Sequence, residues 1–309
     1  MAPGSPQPQH LTSRDNRWLK RFAAALAGKS SSAEKCLGIE GLRLVEEALR
    51  SSIPIEAVLV SETGRKYLAQ LASGLNSSKA VLATTDRLFA NVAGTESPQG
   101  VAALVTPRRA SFDDLMRGPG QPLIVVLAGV QDPGNVGTIL RTSEALGASG
   151  VATCSAGSLG TAHVFSPKVV RASAGAVFRL PVAEGLSSAI LLAQLRVAGV
   201  RTLAATSAPD AHDPTPPWHV DLRGPIAIFI GNEGAGLPAE IERAADIHIR
   251  IPLAAARGLD AKNVESLNAA TAAAIILYEA SRQRAHAESV SPVQSSTKTP
   301  RTQTSGANS

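Results

Sequence analysis

Arg141 stands in a stretch that is otherwise small or apolar, among Val136, Thr138, Ile139, Leu140, Thr142, Ser143, Ala145 and Leu146. Such a guanidinium has two uses: an ion pair with a neighbouring carboxylate such as Glu144 on a solvated face, or a hold on an anion. Six residues earlier comes Asn135, just after the turn-forming Asp132-Pro133-Gly134. Farther along, the apolar run Ile228-Phe229-Ile230 leads into Gly231-Asn232-Glu233-Gly234-Ala235-Gly236-Leu237-Pro238, three glycines around one carboxylate. Glycines let a backbone approach a ligand where any Cβ would obstruct it. The order Gly-x-x-Gly-x-Gly is not that of a dinucleotide fingerprint. A third cluster begins at Ile251-Pro252-Leu253 and resumes at Val264-Glu265-Ser266-Leu267-Asn268, ahead of an Ala-rich helix reaching Ala280. Gly28-Lys29-Ser30 is not a phosphate-binding loop, because Ala23 stands where the required upstream glycine would be.

The elements that must position these residues follow from periodicity. Leu123 to Ala128 is a continuous apolar run, as expected of a strand buried on both faces. Val136, Ile139, Leu140 and Leu146 follow at helical spacing, Gly147 suits the left-handed residue after a helix, and Gly150-Val151 opens the next strand. That is one βαβ unit. Strands are expected at 123–128, 150–153, 202–206, 226–231 and 247–251, with helices near 136–146, 168–176, 187–199 and 239–245, which together mean a mostly parallel sheet covered on both faces. Upstream, strands at 36–40, 55–60, 80–83 and 101–105 alternate with helices to about Ala27 and at 41–51, 64–72 and 85–90, forming a smaller α/β domain. In the 41–51 helix Leu42, Val45 and Leu49 are expected to face inward. The resulting division is a disordered leader at 1–12, a first domain at 13–105, a Pro- and Gly-rich linker at 106–121, a second domain at 122–284 and a disordered tail at 285–309.

Composition narrows the function. At 44% hydrophobic but 3% aromatic residues, the 309-residue chain must build its core from Ala, Val, Leu and Ile. No run of 18 apolar residues and no basic-then-apolar leader occurs, so a soluble, cytoplasmic protein is expected. Cys36 and Cys154 are far apart and read as small buried hydrophobes, and none of the six His sits in a ligand-like cluster, so no metal is expected. The net charge of +5 is unevenly placed: residues 1–110 carry 14 Lys and Arg against 9 Asp and Glu, and the remainder carries 16 of each. A basic module beside a neutral one suits a part that holds a polyanion attached to a part that does chemistry. Arg14 and Arg17, close to Trp18 and Phe22, have the basic and aromatic interleaving of RNA contacts. Lys168 and Arg171, in Phe165-Ser166-Pro167-Lys168-Val169-Val170-Arg171-Ala172, could clamp RNA phosphates or stand as solvated charges.

Asn135-Val136-Gly137-Thr138-Ile139-Leu140-Arg141-Thr142 resembles the first signature of the SpoU (TrmH-like) RNA methyltransferases, N-x-G-x-x-x-R-T. Gly231-x-Glu233-x-x-Gly236 resembles their second and Ile251-Pro252 with Ser266-Leu267-Asn268 their third, in the same order. The connection from Ala254 to Asn263 is longer than the family's usual one. Ile39-Glu40-Gly41, Gly64 and Thr95-Glu96-Ser97-Pro98-Gln99-Gly100-Val101 are similar to the family's accessory substrate-binding domain, whose fold is like ribosomal protein L30e. The resemblance implies the SPOUT class: a trefoil knot in the second domain, a homodimer with the active site at the interface, and S-adenosylmethionine held by Gly231, Ile251, Leu253 and Leu267. It implies methyl transfer to a ribose 2′-hydroxyl, with 23S ribosomal RNA favoured and transfer RNA as the alternative. Arg141 would be essential, with Asn135, Glu233, Ser266 and Asn268 orienting it, the ribose or the cofactor. The family's proposed base is this arginine, yet a free arginine stays protonated; a clamp on phosphate and developing oxyanion is the other role it can take. Two rivals are a catalytically silent RNA-binding protein, which the intact motif residues disfavour, and a nucleotide-dependent metabolic enzyme, which would want a glycine loop after Ala128.

Overall fold

The computed structural model describes residues 8–29, 36–75, 80–155, 159–207, 214–254 and 266–290. In chain order the strands and α-helices are β1 (Gln9–His10), α1 (Arg17–Leu26), β2 (Leu37–Glu40), α2 (Leu42–Arg50), β3 (Ile55–Val60), α3 (Leu68–Leu75), β4 (Ala80–Ala83), α4 (Asp86–Ala90), β5 (Val101–Val105) and α5 (Phe112–Met116). They continue as β6 (Leu123–Ala128), α6 (Pro133–Ala145), β7 (Gly150–Cys154), α7 (Pro167–Ala172), β8 (Val182–Leu186), α8 (Ser188–Val197), β9 (Arg201–Ala205), β10 (Ile226–Ile230), α9 (Ala239–Ala244), β11 (Ile247–Ile249) and α10 (Ala269–Val290).

Two sheets result. The second has the order β11-β9-β10-β6-β7-β8 with every pairing parallel. Side chains alternate across a strand, and β6 shows why an unbroken apolar run is needed there. Leu123, Val125 and Leu127 face Val136, Ile139 and Leu140 of α6 and Ala273, Ile276 and Leu277 of α10. Ile124, Val126 and Ala128 face Leu115 of α5, Leu191 and Leu195 of α8 and Ile241 of α9. The first sheet, β1-β4-β3-β5-β2, is mixed, with β5 antiparallel to both β3 and β2. One of its faces buries Phe22 of α1 and Phe89 of α4, while the other shares a continuous core with the α6 side of the second sheet. The small residues let the two halves approach closely: a Cβ on Gly28 would meet Pro167 at 3.3 Å.

Several elements depart from the sequence reading. β8 goes unread in the sequence because Glu184 and Gly185 interrupt its apolar pattern, which an edge strand tolerates. The 106–121 connection contains α5, opened by a Ser111/Asp114 capping box and anchored by buried Leu115. Gln9 and His10 pair with Leu82 and Ala83, and Leu11 is buried, so the expected disordered leader contains residues that belong to the first sheet. α10 runs to Val290, past the expected tail boundary. In α2 the buried stripe is Leu44, Val45 and Ala48, with Leu42 and Leu49 partly buried at its edges. Gly147, at φ +80°, takes the left-handed conformation its place required. Residues 255–265, most of the long connection before Ser266, lie outside the described residues.

Candidate active site

A parallel sheet opens its ligand crevice at the carboxyl ends of its strands, and the cleft here lies at those of β9, β10 and β11. It has a volume of about 240 Å³. Gly231, Ile251, Leu253 and Leu267 all line it, as do Glu233 and Ser266. The Gly-rich loop that forms one wall is shaped by its own backbone. Asn232 and Gly236 exchange N–H to O=C bonds at 2.9 and 3.0 Å. A Cβ on Gly231 would fall 2.5 Å from the Gly236 carbonyl carbon, and Gly236 sits at φ +70°, so both glycines are required by the turn itself. Asn232 fastens the loop: its Oδ1 accepts from the Gly234 and Ala235 N–H groups, and its Nδ2 donates to Gly129 O beyond β6, all at 2.9 Å.

At the rim, three motifs that are distant in sequence meet through side chains. Asn135 Nδ2 donates to Glu233 Oε1 at 2.7 Å, and Asn268 Nδ2 donates to Asn135 Oδ1 at 2.9 Å. Each amide is fixed from behind. Asp132 caps α6 by accepting the Asn135 N–H at 2.8 Å, with Pro133 in the first turn. Asn268 Oδ1 accepts from Ala270 and Thr271 N–H at the start of α10. The glycine of the first motif, Gly137, serves packing: a Cβ there would lie 2.4 Å from the Ala172 Cβ, where α6 crosses α7.

Arg141 is exposed and has no hydrogen-bond or ion-pair partner among the described residues. Glu144, the carboxylate available for a local pair, is instead held by Arg179. At about 100° per residue, Arg141 shares a stripe of α6 with exposed Thr138 and Ala145 and lies off the Asn135 face. It does not line the cleft.

The arginines and lysine expected to contact RNA do not form one group. Lys168 and Arg171 are exposed on α7, beside the first domain: a Cβ on Gly94 would be 4.0 Å from Arg171 Nη1. Arg14 and Arg17 stand at the start of α1, which rises about 15 Å before its far end reaches α7, and Arg17 lies over the Trp18 ring at 5.7 Å. The short motifs of the first domain do converge. Glu40 accepts from Gly94 N–H at 2.7 Å and from the Thr95 hydroxyl, and Gln99 Oε1 caps α2 at the Leu42 N–H at 3.0 Å. Gly64 abuts Gly100, whose carbonyl oxygen would be 1.9 Å from a Cβ.

Ala205, Thr206 and Ser207 also line the cleft, with Glu242 and Arg250, and none was singled out in the sequence. The strand-end rule would have found the first three once β9 was placed. Asn232 was readable only as part of a loop, because its partners are backbone groups. The cleft suits a nucleoside with a charged tail: Ile230, Ile251, Leu253, Leu267 and Ile276 offer apolar surface, while exposed backbone and Glu233 border the polar end.

Comparison with known proteins agrees with this geometry. Residues 122–278 match the SpoU rRNA methylase family and residues 20–103 the MRM3-like substrate binding domain. A Synechocystis protein described as an uncharacterized tRNA/rRNA methyltransferase is 31% identical over 89% of this chain and 94% of its own. The Bacillus subtilis 23S rRNA (guanosine(2553)-2'-O)-methyltransferase RlmP is 29% identical over 87% of this chain and 98% of its own. The AdoMet-bound rRNA methyltransferase of Sinorhizobium meliloti superposes with a TM-score of 0.76 at 30% identity, covering 90% of this chain and 98% of that one.

Proposed function

The chain belongs to the SpoU rRNA methylase family and is an S-adenosylmethionine-dependent RNA methyltransferase, and from that premise we propose that it methylates a ribose 2′-hydroxyl of 23S ribosomal RNA. The observation that carries the reading is the Glu233–Asn135–Asn268 chain of hydrogen bonds, which joins all three motifs at the mouth of the cleft. Ribosomal RNA is favoured over transfer RNA because the Bacillus subtilis relative, matched over 98% of its length, is named for a 23S substrate.

Gly231, Ile251, Leu253 and Leu267 would hold S-adenosylmethionine, whose sulfonium supplies the electrophilic methyl group. Ser266, Asn135 and Asn268 orient the ribose, and Glu233 keeps the Asn135 amide in one orientation. A ribose hydroxyl is a poor nucleophile, so alignment and stabilisation of the developing oxyanion are the main demands. Arg141 meets the second demand as a charged clamp on the oxyanion and the adjoining phosphate. Residues 13–105 act as the RNA-binding domain and residues 122–284 as the methyltransferase domain, with Lys168 and Arg171 beside the Glu40-held loop and Arg14 and Arg17 farther out along the RNA.

A homodimer fits the exposed surface. Ile275 and Tyr278 of α10 are 36% and 62% exposed, and α6 beside it presents Thr138, Arg141 and Ala145. A second copy covering that apolar and small-residue face would enclose Arg141 next to a cleft. A trefoil knot of the SPOUT class is part of the same reading, supported by the parallel sheet and by Asn268 meeting Asn135 of α6. No helix among the described residues is long and apolar enough to cross a membrane, and the proposed site of action is the cytoplasm.

Mapping 2′-O-methylated nucleotides by mass spectrometry tests the reading, in cells lacking the gene and in the same cells given wild type or Arg141→Ala. One methylation is expected to vanish with the gene and to return with wild type alone. An unchanged methylation map would overturn the proposal.

A further inference from the structure

Arg179 occupies the junction of the two domains, after a 3-10 turn at Ala176–Phe178. Its guanidinium is divided between two carboxylates. Nε and Nη2 donate to the two oxygens of Glu144 on α6, the latter at 2.8 Å, and Nη1 donates to Glu47 on α2. Glu47 also receives Arg50 Nη1 at 2.8 Å. The result is a chain of charges, Arg50–Glu47–Arg179–Glu144, running from the first domain to the helix that carries Asn135 and Arg141. Gly175 makes room for it: at φ +83°, its Cβ would stand 2.9 Å from the Glu47 Cβ and 3.5 Å from Arg179 Nη1.

The partner Arg179 selects on α6 has a consequence for Arg141. On a helix only residues three or four apart face one another. For Arg141 these are Gly137, Thr138, Glu144 and Ala145, so Glu144 is the one carboxylate within local reach. Left to itself, Glu144 would pair with Arg141 and occupy the N–H groups needed for an RNA anion. Held at both oxygens by Arg179, it is turned toward that guanidinium and its charge is largely neutralised, which weakens any hold on Arg141. Arg179 is a better competitor because its contacts are bidentate and it is only 37% exposed, which limits screening by solvent.

We infer that Arg179 is a positioning residue for methyl transfer: by sequestering Glu144 and tying it to Glu47 of the RNA-binding domain, it keeps the Arg141 guanidinium unpaired for the RNA. The inference rests on the RNA methyltransferase reading with Arg141 as the anion clamp. It also predicts that docking of the two domains and availability of Arg141 are linked, since both run through one side chain.

The test uses the full chain, tritiated S-adenosylmethionine and ribosomal RNA purified from cells lacking the gene, with single-turnover rates for wild type, Arg179→Ala and Arg179→Ala/Glu144→Gln. The single variant is expected to lose about twofold in rate, the size of a helical ion pair formed at exposed Arg141, with its dissociation constant for S-adenosylmethionine unchanged. Neutralising Glu144 should return the double variant to the wild-type rate, because the competing carboxylate is gone. In parallel, the Arg141 side-chain Nε–H resonance, assigned by its loss in Arg141→Ala, should shift in Arg179→Ala and shift back in the double variant. Should Arg179→Ala melt below assay temperature, Arg179→Lys takes its place, since an ammonium keeps the charge but cannot grip both Glu144 oxygens and Glu47. A double variant as slow as the single one, or an Arg141 resonance that never moves, would overturn the inference and leave Arg179 a domain fastener. If wild type methylates no ribosomal RNA while the resonance moves as expected, the choice of substrate fails and the pairing stands.

Discussion

The two ends of α10 carry similar polar side chains and use them in opposite ways. Toward its C-terminus, every partner is the protein's own scaffold. Gln283 donates to Val220 O and accepts from Leu222 N–H, and Arg284 donates to the carbonyls of Leu222, Gln121, Pro122 and Gly224 at 2.5–3.2 Å. At the N-terminal end Asn268 caps its helix and grips Asn135, which grips Glu233, and there the chain of bonds stops at the cleft. Glu233 Oε2 and the whole Arg141 guanidinium have no partner among the described residues. Polar groups satisfied by backbone hold the sheet and helix together. Groups of the same chemistry left with spare capacity at a cleft mouth are available to substrate. The comparison therefore predicts that mutations at one end separate from mutations at the other, activity from stability.

The sharpest break should come at Asn135. Removing its amide in Asn135→Ala leaves Glu233 and Asn268 without the group that links them, and a loss of about 100-fold in kcat/KM for RNA methylation is expected. Because both neighbours are exposed, water replaces the lost bonds and the melting temperature should stay within about a degree of wild type. Steady-state kinetics beside a thermal melt would check this. A large fall in stability would mean that the rim is scaffold like the far end.

Arg284 should show the reverse. Burial lowers its pKa from the ordinary arginine range, a cost met by the carbonyls that surround it. Arg284→Ala would leave several of those carbonyls unsatisfied at the start of β6 and β10, a loss of about 2–3 kcal/mol in unfolding free energy. Methylation measured well below the melting temperature should stay near the wild-type rate. Urea unfolding and activity of the same preparation separate the two effects, and an inactive but stable variant would contradict the division.

How far the sequence could carry this picture depended on the range of each interaction. β4, β5 and β6 are legible to the residue because a strand buried in a core needs an unbroken apolar run, and β3 departs from that only at Glu56, which Arg21 holds. The Gly-rich loop of the cleft is legible because Gly231 and Gly236 answer local backbone demands, which leave a spacing in the sequence. Arg284 shows the opposite case: by composition it stands at the threshold of a Ser- and Gln-rich tail, yet its partners lie 60 or more residues away. Gln99 capping α2, Asn232 reaching Gly129, and Arg179 joining Glu47 to Glu144 are equally nonlocal, and no periodicity betrays them. β8 was lost for a different reason, since an edge strand can carry Glu184 and Gly185 without penalty.

The smallest predicted effect concerns acid, and it tests whether burial rather than pKa marks a scaffold residue. Glu279 and Asp221 both titrate at about 2 in the folded chain. Glu279 is drawn down first by a hydrogen bond from Arg282 and then by one from Gln283, and Asp221 by its hydrogen bonds from Arg223. Each folded pKa lies below its ordinary value, 4.5 and 3.8 respectively. Each pair's stabilisation is therefore complete above the ordinary value and disappears as pH falls through about 2. The side chains differ in exposure, however, at 12% for Glu279 against 51% for Asp221. Solvent screens the exposed pair, and only the buried one should register in stability. Urea unfolding at pH 7 should place Glu279→Gln about 1 kcal/mol below wild type, with the gap closing toward pH 2, whereas Asp221→Asn should track wild type at every pH. Equal gaps for the two variants would show that the Arg223 pair, on the connection between β9 and β10, belongs to the same fastening as the end of α10, and that the scaffold reaches farther across the surface than burial indicates.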